Sequence, residues 1–110
     1  MNRERIDIAL KSYLPMTEAG FLLLNSLTEN MHGYAIMQKV LELTHGRVNL
    51  GAGTVYTILF KMEKDGLIEV ISEHERRRVY AITELGHEVL CAEAKRLEEL
   101  ALIAKKAIKA

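Results

Sequence analysis

The apolar residues of the chain recur first with the period of a helix. Ile6, Ala9, Leu10, Tyr13 and Leu14 share one face of a predicted helix over residues 5–14. Pro15 ends it, because the residue before a proline is pushed out of the helical region. Thr17 is a predicted N-cap, with Met16 and Phe21 placed as a hydrophobic staple around it. The run Phe21 to Leu24 with Leu27 is apolar on most sides, which predicts a central, buried second helix. Met31-His32-Gly33 reads as a break. A third helix follows through Tyr34, Ile36, Met37, Val40, Leu41 and Leu43, with Gly46 as its left-handed stop. Residues 52–65 form a fourth helix that closes at Asp65-Gly66.

The period then changes. Leu67 to Ser72 and Arg78 to Ile82 are rich in β-branched residues and flank the charged stretch Glu73 to Arg77, the pattern of a two-stranded hairpin. Thr83 caps a last long helix, with Glu84 in its first turn and lysine or arginine at 95, 96, 105, 106 and 109. The predicted order is four helices, a hairpin and a helix: a mainly α chain with a small β-hairpin. Helices followed by a hairpin "wing" are the winged helix-turn-helix arrangement, in which one helix enters the major groove and the wing reaches the backbone. The expected division is an N-terminal helix over 1–15, a winged-helix unit over 16–83 and a terminal helix over 84–110, all within one continuous fold.

On the fourth helix, Val55, Ile58, Leu59 and Met62 fall on one arc and are expected to pack inward. Thr54, Thr57, Lys61 and Lys64 fall on the opposite arc, with Tyr56 and Glu63 on a flank. Threonine can meet base edges or a thymine methyl, and lysine neutralises phosphate. The free N–H groups near Ala52 to Val55 also favour a phosphate oxygen. The same residues equally suit a plain solvated helix face. Arg76-Arg77-Arg78 at the hairpin tip shifts the balance toward a phosphate backbone. Glu73 and Glu75 beside them allow an internally paired, merely solvated hairpin instead. Composition decides little between the two. The 110 residues carry 15 Lys+Arg and 15 Asp+Glu, a formal charge of zero, so attraction to nucleic acid must come from local placement. One cysteine cannot form an internal disulfide, and no apolar run is long enough to span a membrane, so a soluble, cytoplasmic protein is expected.

Met31-His32-Gly33-Tyr34-Ala35-Ile36, Leu50-Gly51-Ala52-Gly53-Thr54-Val55-Tyr56, Met62 to Ile68 and Arg76 to Gly86 follow one another at a spacing that resembles the PadR transcriptional regulators over roughly residues 16–90. A single long helix after the wing resembles the short-tailed branch of that family. The resemblance implies a homodimeric repressor acting on double-stranded DNA, with no cofactor. It also implies that Tyr34, Thr54, Tyr56, Thr57, Lys61 and the wing arginines lie at or near DNA. Two positions depart from the family pattern. Phe60 stands on the outward arc, beside Thr57 and Lys64, where many members have a basic residue. Ser72-Glu73-His74-Glu75 stands where many have glycines, which predicts a short wing.

On the last helix, Leu90, Ala94, Leu97, Leu100, Ala101, Ala104 and Ile108 form one broad apolar stripe. A second copy is the economical cover for it, with the apolar face of residues 6–14 (Ile6, Leu10 and Tyr13) packing over it; a helix folded back on its own chain is the alternative. In drug-sensing relatives a ligand cavity lies between the last helices, and the matching positions are Ala94, Leu97 and Ala101, with Tyr13 as the nearest aromatic. A small apolar effector and a collapsed, ligand-free interface both fit. His87 and Cys91, one turn apart near Glu84 and Glu88, give a weak zinc pattern that packing explains as well. No catalytic set has supporting context, so no enzyme is expected. The competing reading from another class is a winged-helix protein–protein adaptor, favoured by the neutral charge and by Phe60.

Overall fold

The computed structural model describes residues 2–109. Met1 and Ala110, the outermost residues of the segments 1–15 and 84–110, lie outside the described residues. The elements are α1 (Arg3–Tyr13), α2 (Glu18–Ser26), β1 (Met31–His32), α3 (Gly33–Leu43), α4 (Ala52–Lys64), β2 (Ile68–His74), β3 (Arg77–Ile82) and α5 (Glu84–Lys109). The expected helix–hairpin–helix order is present, and several caps work as their residue types predict. The Thr17 hydroxyl accepts the Gly20 N–H at 3.0 Å, and the Thr83 hydroxyl accepts the Gly86 N–H at 3.1 Å. Gly46 has φ +81° and donates to Leu41 O at 2.8 Å, closing α3.

Two features differ from the sequence reading. Met31-His32 is more than a break: it pairs antiparallel with β3, so the sheet has three strands in the order β1-β3-β2. Its register, Met31 opposite Tyr80 and His32 opposite Val79, ties the start of α3 to the wing. The wing strands also run further than expected. His74 pairs with Arg77, leaving only Glu75 and Arg76 as the turn. Both have positive φ, +49° and +69°, as a two-residue hairpin turn demands. Non-glycine residues adopt that conformation at a cost of about 1 kcal/mol each. The wing is therefore tightly turned, with its arginines on and beside the turn.

Leu23 and Leu24 of α2 and Leu27 at its C-cap are fully buried, as the central helix requires, and Ile36, Val40, Val55, Leu59 and Met62 close around them. Leu85, Val89 and Leu90 of α5 and Ile6 and Ala9 of α1 complete the same core. This corrects part of the expected copy-facing stripe. Ile6 and Leu90 are buried within their own chain and have little surface left for a second one. The first third of α5 therefore does fold back on its own chain. From Leu97 to Lys109 every residue is exposed.

Glu93 marks the changeover. Its side chain is buried, accepts the Met16 N–H at 3.1 Å and is gripped by Arg96 at 2.6 and 2.8 Å. The Arg96 hydrogen bonds hold its carboxyl below the usual carboxylate range. Gly86 shows how closely α5 is seated: a Cβ there would lie 2.0 Å from Leu67 O. Gly86→Ala must therefore move α5 away from the wing base, and we expect a loss of about 1–3 kcal/mol in urea unfolding. A wild-type midpoint would contradict this seating.

Candidate nucleic-acid interface

Val55, Leu59 and Met62 hold one side of α4 in the core, at 0–2% exposure. Thr54, Thr57, Phe60, Lys61 and Lys64 are consequently exposed on the other side. Ile58, expected inward, is half-buried at the edge. The helix starts at Gly51, which offers no side-chain cap, so its first N–H groups have no side-chain acceptor there. An added Cβ at Gly51 or Gly53 would meet nothing within 4 Å.

Tyr34 and Tyr56, 62% and 50% exposed, flank this face on the side of the wing. Tyr56 lies directly over the start of α3. A Cβ on Gly33 would sit 2.6 Å from the Tyr56 hydroxyl oxygen and 2.7 Å from Cζ. The glycine is thus what lets the ring settle there. Between α3, α4 and the wing lies an open cleft of about 380 Å³, lined by His32, Tyr34, Tyr56, Tyr80, one acid, Glu75, and the arginines Arg76, Arg77 and Arg78. The structure brings the sequence-expected Tyr34, Tyr56 and wing arginines to one place, with His32, which is not among the expected residues, beside them.

The cations are not all free. Lys61 Nζ lies 2.8 Å from Asp65 Oδ2 and 4.6 Å above the Tyr13 ring, while the Tyr13 hydroxyl donates to the same carboxylate at 2.6 Å. Hydrogen bonds from Lys61 and then Tyr13 lower the Asp65 pKa; burial, then the Asp65 hydrogen bond, raises that of Tyr13. Arg78 reaches Glu63 at 3.3 Å and Glu73 at 3.9 Å and lies over the Tyr80 ring. The internally paired wing that the sequence allows is therefore real for Arg78. Lys64, Arg76 and Arg77 make no ion pair among the described residues. Exposed pairs such as Lys61–Asp65 contribute about 0–1 kcal/mol, so exchanging the acid for another anion costs little.

The i,i+4 spacing of Lys61 and Asp65 is readable from sequence. The Tyr13–Asp65 and Arg78–Glu63 contacts are not, because they join residues 52 and 15 positions apart. The residues expected around a ligand are not gathered within one chain. Tyr13 lines two cavities, one of about 140 Å³ between α1, Asp65 and Leu85 and one of about 270 Å³ between the end of α1 and α4, and Ala94, Leu97 and Ala101 line neither. On α5, Ala94, Leu97, Leu100, Ala101, Ala104 and Ile108 are all exposed, and Ile103, which lies outside the expected stripe, is 61% exposed beside them. Leu10 and Tyr13 are half-buried. His87 and Cys91 approach to 3.7 Å, and among the described residues no group of three or more metal-ligating side chains forms.

A family model described as "Transcriptional regulator PadR-like family" matches residues 23–92, well over half of the chain. The chain belongs to the PadR-like family of transcriptional regulators. The role that names the family is transcriptional regulation. Its architecture is similar to that of a PadR-like transcriptional regulator from Bacillus cereus, at 22% identity and a TM-score of 0.71 over 84% of this chain and 92% of that one. A regulator structure from Thermoplasma acidophilum, described as putative, is 26% identical with a TM-score of 0.66, over 83% and 90%. A complex structure of hsRosR, a protein of H. salinarum, gives 20% and 0.68 over 92% and 97%. An uncharacterized protein in a transposon of Streptomyces fradiae is 32% identical over 84 residues, which are 76% of this chain and 24% of that protein. The chain thus spans about a quarter of that relative's length. No helix among the described residues is long and apolar enough to cross a membrane.

In this PadR-like chain the contact of Tyr56 with Gly33 separates the face from the fold. Gly33→Ala must displace the half-exposed Tyr56 ring, whose atoms are the nearest to the added Cβ. We expect unfolding free energy to change by at most about 1 kcal/mol, while binding of duplex DNA weakens measurably in fluorescence anisotropy. Unchanged affinity would show that the Tyr56 position does not matter to binding.

Proposed function

We propose that the chain is a sequence-specific DNA-binding repressor that acts as a homodimer on a palindromic operator. Helix α4 reads the major groove through Thr54 and Thr57, with Lys61 and Lys64 at its margins. Tyr34, Tyr56 and the wing arginines hold the adjoining backbone. The observation that carries this reading is the juxtaposition of the outward face of α4 with the cleft lined by Arg76, Arg77 and Tyr34. Residues 16–83 then serve as the reading unit, and α1 with the exposed part of α5 as the dimerisation segments within 1–15 and 84–110.

The exposed stripe Leu97, Leu100, Ala101, Ala104 and Ile108 supports the dimer, because a single chain leaves it in water. A two-fold pair places the two α4 helices about one DNA turn apart, on the order of 34 Å. Release by a small apolar ligand held between the last helices, near Ala94, Leu97, Ala101 and Tyr13, is the effector scheme that fits this arrangement. Zero net charge and the exposed Phe60 favour a second reading, an adaptor that docks on protein.

Salt dependence separates the two. Phosphate-gripping binding should weaken steeply between about 50 and 200 mM salt, with a log–log slope of several units. Replacing Arg76, Arg77 and Arg78 by Ala should flatten that slope by roughly 0.9 for each phosphate no longer neutralised. An unchanged slope removes the wing from the mechanism, and an intact protein that ignores duplex DNA at low salt favours the adaptor.

A further inference from the structure

Phe60 is 72% exposed in the middle of α4 and takes no part in the hydrophobic core or in the partly buried layer around it. It belongs to a single row at helical spacing: Gly53, Thr57, Phe60 and Lys64. Gly53 carries no side chain and faces open space, and Thr57 and Lys64 are exposed. The row therefore offers, in order, a gap, a hydroxyl with a methyl, a phenyl ring and an ammonium. Acids are absent from it. Those of the helix and its cap, Glu63 and Asp65, are engaged by Arg78 and Lys61.

A bare phenyl ring in this row cannot grip phosphate. The apolar group that the major groove offers to a protein is the thymine C5 methyl, and phenylalanine is among the side chains that contact it. We infer that Phe60, beside the Thr57 methyl, reads thymine methyls in each half-site and so acts as a specificity-determining residue. The inference rests on the DNA-reading function proposed above. A second copy is not the occupant chosen, because the apolar stripe left open for it lies on α5 beyond Arg96, whereas α4 packs on α3 and β2.

Methyl removal tests it. Duplexes are selected from a random pool with the full chain, and each thymine of the recovered half-site is then replaced by uracil, which deletes only the methyl. Affinity is measured for the wild type and for Phe60→Ala on both duplexes. At one position per half-site the wild type should lose about fourfold per methyl, roughly fifteenfold for both halves. Phe60→Ala should bind the thymine and uracil duplexes equally while unfolding at the wild-type midpoint. Phe60→Lys should regain affinity with a steeper salt slope and remain blind to the methyl. Methyl sensitivity that survives in Phe60→Ala overturns the inference and leaves the DNA-reading function standing. A wild type that selects no duplex overturns both, and a change in self-association of Phe60→Ala assigns the ring to a protein contact instead.

Discussion

Helix α4 can present threonines and lysines to the outside because Val55, Leu59 and Met62 are withdrawn from water on its other side. Each such side chain is stabilised by about 1.5–3 kcal/mol on full burial, and together they fix the rotation of the helix about its axis. A turn of about a hundred degrees, one residue's step around the helix, would bury Lys61 or Glu63 and expose the core. The identity of the outward row is therefore a consequence of packing. The sheet makes the same kind of commitment for the wing, since β3 is clamped between β1 and β2 and sets where Arg76 and Arg77 stand relative to Tyr34 and Tyr56.

Charge is placed sparingly around this frame. With equal numbers of acids and bases, the chain has no long-range pull on a polyanion. Two acids near the face are paired locally, Asp65 with Lys61 and Glu63 with Arg78, while Glu75 stands in the cleft beside the arginines; of the cations on this face, Lys64, Arg76 and Arg77 have no bridge among the described residues. Surface pairs of this kind exchange partners at little cost. A face that is nearly neutral at a distance and cationic on contact suits short-range recognition better than long-range capture. The open row on α4, with its uncapped start at Gly51, fits that division.

Much of the fold is legible in the sequence because it is local. The two periods, the threonine caps and the glycine stops each need only a few neighbouring residues, and the element order follows from them. The rest depends on distant partners. Met31-His32 is too short to show a strand period, and only its pairing with Val79 and Tyr80 makes it one. Glu93, between Ala92 and Ala94, carries no sequence sign of burial, yet it is buried, with Arg96 and the Met16 N–H meeting its carboxylate there. The stripe on α5 looks uniform in sequence, but Leu90 faces its own chain and Ile108, at 81% exposure, faces none. Of the candidate site, the residue types and the arc are readable; the occupation of Lys61 and Arg78 by nearby acids is not.

Two chains joined through the exposed part of α5, with both α4 helices facing one duplex, form the central claim. Sedimentation equilibrium of the intact chain, alone and with a duplex selected by it, tests this directly. Two chains without DNA at micromolar concentration and two chains per duplex with it are the predicted result. A lone protomer that binds one per duplex, or passes the duplex by, would contradict it.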